Sequence, residues 1–223
     1  MSFNKFRPAA VAAVLAFVFM AGLALPALAQ QSAGAIERQK GDAFRTAGET
    51  TEALSANAKV FAGDLVKTGA GARLKIRFSD DSTLTLGENA EVLIDEMVFD
   101  PAGGAEQGNQ ALIMAVGVFR YTSGKIGKAS RSSVLFGTPT ATIGIRGTDF
   151  LGGELTVGMP PGQPHYGFQI REGAIQVITP QGSVTLDEPG EGTFLPLARG
   201  RPPTPVRQWT PEEAAEAEAA VAF

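Results

Sequence analysis

The chain has no cysteine, one histidine and one tryptophan in 223 residues. Without cysteine, thiol catalysis, zinc–thiolate sites and iron–sulfur ligation are excluded. An exported domain of this size must then rely on its core rather than on disulfides. With His165 as the lone imidazole, a zinc site would have to lean on carboxylates, an uncommon donor set. A Ser-His-Asp triad would need His165, yet no G-x-S-x-G elbow exists to present the serine. Asp80 and Asp81 stand outside any D-x-[DN]-x-[DN]-G calcium loop, and Gly144 to Gly147 matches no phosphate-binding glycine pattern. Any acidic β protein offers carboxylates for glycoside hydrolysis, but nothing here pairs them. The expectation is a non-enzyme without cofactor or metal.

Long apolar runs are missing beyond the first thirty residues, so no later stretch is expected to span a membrane. The N-terminus has Lys5 and Arg7, an apolar run from Ala9 to Leu25, a breaker at Pro26 and then Ala27-Leu28-Ala29. That order of parts predicts a secretory signal peptide over residues 1–29, cut after Ala29, and a periplasmic or secreted protein. Left uncleaved, the run is long enough to be an anchor; Pro26 and the small residues favour cleavage. No cysteine follows the run, so lipid modification there is excluded.

Positive charge is scarce as well. The 19 basic residues less Lys5 and Arg7 leave 17 against 23 acidic ones, a charge of −6. Such a balance offers no electrostatic footprint for nucleic acid. It also implies mild repulsion from anionic lipid surfaces.

What is present is glycine, 27 residues of it, punctuating short apolar alternations. "RLKIRF" sets Leu74, Ile76 and Phe78 on one face, and "STLTLGE" continues with Leu84 and Leu86. The "SDDS" between them reads as a hairpin connection, because aspartate hydrogen-bonds a turning backbone. "LKIRFSDDSTLTLGE" and "IQVITPQGSVTLDEP" form a faint internal repeat, each a strand, a polar turn and a "TL" strand. The fold class expected is all-β: stacked short strands and hairpins, as a β-roll or short solenoid or sandwich-like, with a short C-terminal helix. Residues 30–197 form the β domain and 198–223 a Pro-rich strap with that helix. "DPAGGAEQGNQ" reads as a solvated excursion and "VGMPPGQPHYG", with His165, as a stiff loop. Thr210 caps the tail helix, with Pro211 at its first position and Glu213 placed for a capping box.

Two stretches carry candidate binding chemistry. In "TSGKIGKASRSS", Lys125, Lys128 and Arg131 recur every third residue in an acidic protein. They read either as a patch for an anionic ligand or acidic partner, or as a solvated hairpin tip. In "GTPTATIGIRGTDF", strand alternation places Ile143 and Ile145 on one side and Thr142, Gly144 and Arg146 on the other. Arg146 reads as a structural peg donating to carbonyls at neighbouring strand ends, or as a ligand for a carboxylate.

The same residues resemble the FecR-domain family. Gly63-Asp64-Leu65-Val66-Lys67-Thr68-Gly69 is similar to its G-D-x-V-x-T-G opening. Phe78, Asp80, Ser82, Leu84 and Leu86 are similar to its hairpin, with Asp81 where glycine is usual. Thr138, Pro139, Ala141, Arg146, Gly147, Thr148 and Phe150 are similar to its T-P-x-A-x-x-x-V-R-G-T-x-F signature, with Ile145 for valine. The resemblance covers roughly Gly41 to Glu191. It implies an extracytoplasmic β domain that takes part in signalling or envelope sensing. Better-studied relatives are membrane-spanning regulators linking an iron-siderophore receptor to a sigma factor. Here only eight residues precede the apolar run, so the sigma-regulator part is not expected.

The reading reached is an exported, non-enzymatic interaction module of the cell envelope with a protein partner, engaged by a sheet edge or by the Lys125 to Arg131 stretch. Its alternatives are a sensor of anionic ligands or glycans, and a self-associating structural solenoid.

Overall fold

A computed structural model describes residues 31–130, 133–159, 165–195 and 201–223. The signal-peptide expectation for 1–29, Arg131 and residues 160–164 of the Pro-Gly loop lie outside the described residues.

The described residues contain sixteen strands, two α-helices and one short 3-10 helix, Ala105–Gln107. The first nine strands are β1 (Ser32–Lys40), β2 (Ala43–Ala47), β3 (Thr50–Ala53), β4 (Lys59–Phe61), β5 (Leu65–Thr68), β6 (Arg73–Phe78), β7 (Thr83–Leu86), β8 (Glu91–Val98) and β9 (Asn109–Val116). Next come β10 (Phe119–Thr122), helix α1 (Lys125–Ala129), β11 (Val134–Gly137), β12 (Thr142–Leu155) and β13 (His165–Thr179). The chain closes with β14 (Gly182–Leu186), β15 (Glu191–Leu195), β16 (Arg207–Gln208) and helix α2 (Pro211–Val221). Every ladder is antiparallel except β9 with β11.

One sheet curls upon itself around the long β12–β13 ladder. The first half of β12 pairs with β11 and its second half with β10, while β13 runs beside both halves. From this spine one layer runs β14-β13-β12-β11-β9-β8-β5-β2-β3. The other runs β16-β15-β13-β12-β10-β7-β6-β1-β4. The all-β expectation therefore holds, and the curled sheet takes the sandwich-like form among those considered. The register shifts between Arg146 and Asp149, where Gly147 has φ 53° and, on the facing strand, Gly173 has φ 81°. A bulge of this kind lets a strand turn from one layer into the next.

The two layers enclose one core. Phe136 of the first layer stacks on Phe119 of the second at 5.3 Å and meets Tyr121 edge-on at 4.8 Å. Leu74, Ile76, Leu84 and Leu86 are buried as their alternation required. The internal repeat marks two hairpins: Leu74 pairs with Leu86 and Ile76 with Leu84 in β6–β7, as Ile175 with Leu186 and Val177 with Val184 in β13–β14.

Two expectations need correction. "TSGKIGKA" is no hairpin tip, because Lys125–Ala129 form α1 with Ile126 and Gly127 buried. His165 begins β13 rather than lying in a loop, and its ring stacks on Phe194 at 3.9 Å. The tail helix has its capping box, with the Glu213 N–H donating to Thr210 Oγ1 and the Thr210 N–H to Glu213 Oε2. Few apolar residues were needed to dock it: Ala217 and Val221 pack with Trp209 and Phe194 over Leu151 and Leu155, the outward residues of β12's second half.

Candidate functional site

The hairpin, α1 and the signature strand are fastened to one another by buried polar groups. Asp80 is fully buried, and one carboxylate oxygen accepts from the Ser82 N–H at 3.0 Å and the Ser82 hydroxyl at 2.6 Å. The other accepts from the Ile126 N–H at 3.3 Å, and the Asp80 carbonyl accepts from the Lys125 N–H at 2.8 Å. A carboxylate against the first turn of α1 suits its orphan N–H groups. Gly124 is required there, since a β-carbon would collide with the backbone of Asp80 and Ser82. Ser82 continues the chain of contacts to Gln110, whose Oε1 accepts from the Tyr121 hydroxyl at 2.6 Å. Burial, followed by the nearby Asp80 charge, pushes the Tyr121 hydroxyl far above its ordinary pKa.

The signature joins this assembly through Thr148. Its N–H donates to Ser123 Oγ at 2.9 Å, and the Ser123 N–H donates to its carbonyl at 2.8 Å. Phe150 is fully buried among Phe119, Tyr121 and Phe136. Thr138 and Pro139 form the β11–β12 turn, in which the Ala141 N–H donates to Thr138 Oγ1 at 2.9 Å and the Thr138 N–H to the Ala141 carbonyl at 2.9 Å. Gly147 supplies the bend already described.

Arg146 does not act as the expected peg. It is exposed on the outer face of β12, and its side chain has no hydrogen-bond or ion-pair partner among the described residues. In the register of the spine it stands opposite Ala174, whose side chain offers no acceptor.

Of the basic trio, Lys125 is ion-paired with Asp81 at 2.8 Å and lies 5.8 Å from the centre of the Phe99 ring. That hydrogen bond holds the Asp81 carboxyl below its usual range. Lys128 is exposed on α1, and Arg131 lies outside the described residues. Asp81 has φ 67°, which explains the glycine usual at this position.

A cleft of about 850 Å³ lies between α2 and the second layer, with Arg38, Lys75, Arg120 and Arg171 in its walls. Each already has a partner: Phe223, Glu37, Asp149 and Glu218 respectively. Among the described residues no cluster of three or more His, Asp or Glu side chains could hold a metal ion. No helix among them is long and apolar enough to cross a membrane.

Sheet edges are the other candidate. β3 is exposed throughout. β14 pairs only with β13 among the described residues, and its sequence GSVTL carries no Lys or Pro to guard the edge. Val184 of β14 is only partly covered, packed on the core at that open side.

The family profile described as FecR protein matches residues 64–185, a span that runs from the buried Asp64 to the edge strand β14. Among curated proteins nothing matches. Two crystal structures of a candidate anti-sigma factor from Parabacteroides distasonis ATCC 8503, at 1.65 and 2.50 Å resolution, are similar in fold. The first has 12% identity and a TM-score of 0.50, and the second 13% and 0.49. Each covers 68% of this chain, which spans 62% of that protein's length.

Proposed function

Since the chain belongs to the FecR family, we propose that it is an exported signalling module of the cell envelope that works by binding a protein partner rather than by catalysis. The observation carrying this reading is the open edge of β14, which among the described residues pairs only with β13, has Pro202 beside Gly182 at one end, and closes the segment matched to the family. An extended segment of a partner adds there as a further strand, its backbone completing the open ladder and an apolar side chain covering Val184. The rest of the molecule holds that edge in place, because β14 hangs on β13 and β13 on the bent spine.

The sensor reading draws less support, since Lys125 and three of the four cations of the cleft are ion-paired within the chain. The test is proline at Val184 and, separately, at Thr185. Proline removes one donor from an edge, so the substitution at whichever residue points its N–H outward abolishes partner binding and leaves the melting temperature near wild type. Binding unchanged in both variants would remove the β14 edge from consideration.

A further inference from the structure

The outer faces of the two layers differ. On the second layer Leu151 and Leu155 lie under α2 and Trp209. On the first layer no described element covers the face, and Ile113, Leu135 and Ile178 are 39%, 45% and 42% exposed. Ile113 and Leu135 stand on the neighbouring strands β9 and β11, and Ile178 lies farther along the row of Ile113 on β13.

The ladder registers define this face as a grid. One row runs Leu65, Leu93, Ile113, Gly137, Thr142, Ile178 across β5, β8, β9, β11, β12 and β13. The next row runs Glu96, Ala111, Leu135, Gly144, Gln176. Large and small residues alternate along the second row, where Leu135 stands between Ala111 and Gly144, and in the first row Ile113 stands beside Gly137. The Gly144 position is open, with no heavy atom within 4 Å of an added β-carbon. Two opposite charges, Glu96 and Arg146, flank the apolar centre, and neither side chain has a partner among the described residues.

We propose that this face is a homodimer surface, on which two copies pack first layer to first layer about a twofold axis running along the strands between β9 and β11. That axis exchanges β9 with β11 and β8 with β12. It sets Ile113 over the partner's Gly137, which that copy's own Ile113 side chain borders, and Leu135 over the partner's Ala111, so each large side chain meets a small residue. Glu96 comes over the open Gly144 of the second copy, two residues along β12 from the unpaired Arg146. Sheets packed nearly aligned and interlocked in this way are a common solution for two apolar sheet faces. Six strands at about 4.8 Å spacing span roughly 24 Å, which puts the contact at the small end of specific interfaces. The contact leaves the β14 edge free, so either reading can fail without the other.

The test is sedimentation equilibrium on protein expressed from the full-length chain, up to about 1 mM. Wild type is expected to pass from monomer to dimer. Glu96→Arg and Arg146→Glu are each expected to stay monomeric, because each brings like charges together. Mixed in equal amounts, the two variants are expected to dimerise again, since both contacts in the mixed dimer then join opposite charges. Leu135→Asp should also be monomeric, with an unchanged circular dichroism spectrum. A wild type that stays monomeric at the highest concentration would overturn the proposal and leave this face to a different protein. Dimers indifferent to the charge reversals, or a mixture that fails to recover, would overturn it as well.

Discussion

The carbonyl oxygen of Gly147 fills the position that a β-carbon on Gly173 would occupy. These two glycines face each other where β12 and β13 bend from one layer into the other, and both have positive φ. The R-G-T element is thus the corner of the fold. Its glycine lets the spine turn, and its threonine fastens the turn to Ser123 and α1.

Gly173→Ala should therefore lose at least about 2 kcal/mol, from left-handed backbone strain plus collision with the Gly147 carbonyl. Gly144→Ala, three residues before the bend, has open space and no positive φ. There the expected change is neutral, or a gain of up to about 0.5 kcal/mol from a less flexible unfolded chain. Urea denaturation of both variants at low micromolar concentration measures the contrast.

Ser123 and Thr148 separate in the same assay. Ser123→Ala leaves the buried Thr148 N–H without its acceptor and should cost about 1–3 kcal/mol. Thr148→Val should cost almost nothing or stabilise, because Thr148 Oγ1 is buried and has no hydrogen-bond partner to lose. A large loss for Thr148→Val would mean that the hydroxyl is bonded after all.

Strand alternation made the core legible: Leu74, Ile76, Leu84, Ile143 and Ile145 all face inward as the sequence implied. The same alternation put Arg146 outward, and only the assumption of nearby carbonyls failed. What faces Arg146 is set by the register at the bend, where it stands opposite Ala174 and Gly147 meets Gly173, more than twenty residues away. Helix α1 was illegible for a similar reason. Five residues give no period, and the groups that fix it are Asp80 and Ser82, brought in by another hairpin. The docking of α2 could not be read from its alanine- and glutamate-rich face, since the large apolar side chains of that cluster, Leu151, Leu155, Phe194 and Trp209, come from outside the helix. The large-and-small grid on the first layer needs strand order, which short alternating segments do not specify.

Arg146→Ala, and equally Arg146→Lys, should leave monomer stability within about 0.5 kcal/mol of wild type, as for other exposed side chains without partners. Thermal melts at low concentration test this. A loss of several degrees would restore the peg.

The tail should respond to acid. Glu213 is hydrogen-bonded by Arg207 through both carboxylate oxygens, at 2.7 and 2.8 Å, and that contact holds its pKa below the usual value. Glu216 is pulled up by burial, but hydrogen bonds from Thr156 and Val157 outweigh this and lower it. A carboxylate depressed in the folded state stabilises fully above its unfolded pKa, about 4.3, and loses that contribution as pH falls through the folded value. Docking should therefore be constant from neutral pH to about 5 and weaken below about 4. Trp209, the only tryptophan, stacks on Phe194 at 5.1 Å and reports it by fluorescence. Glu213→Gln should already show the undocked signal in part at pH 7.

The central claim, a protein partner received at the edge of β14, is tested most directly by a photoactivatable side chain at Thr185 in living cells. The expected result is one discrete adduct with another envelope protein, absent from the same probe at Thr51 on β3. It should disappear with whichever edge proline, at Val184 or at Thr185 with the probe moved to Ser183, blocks the ladder. No adduct at Thr185, or adducts indifferent to both prolines, would contradict the account.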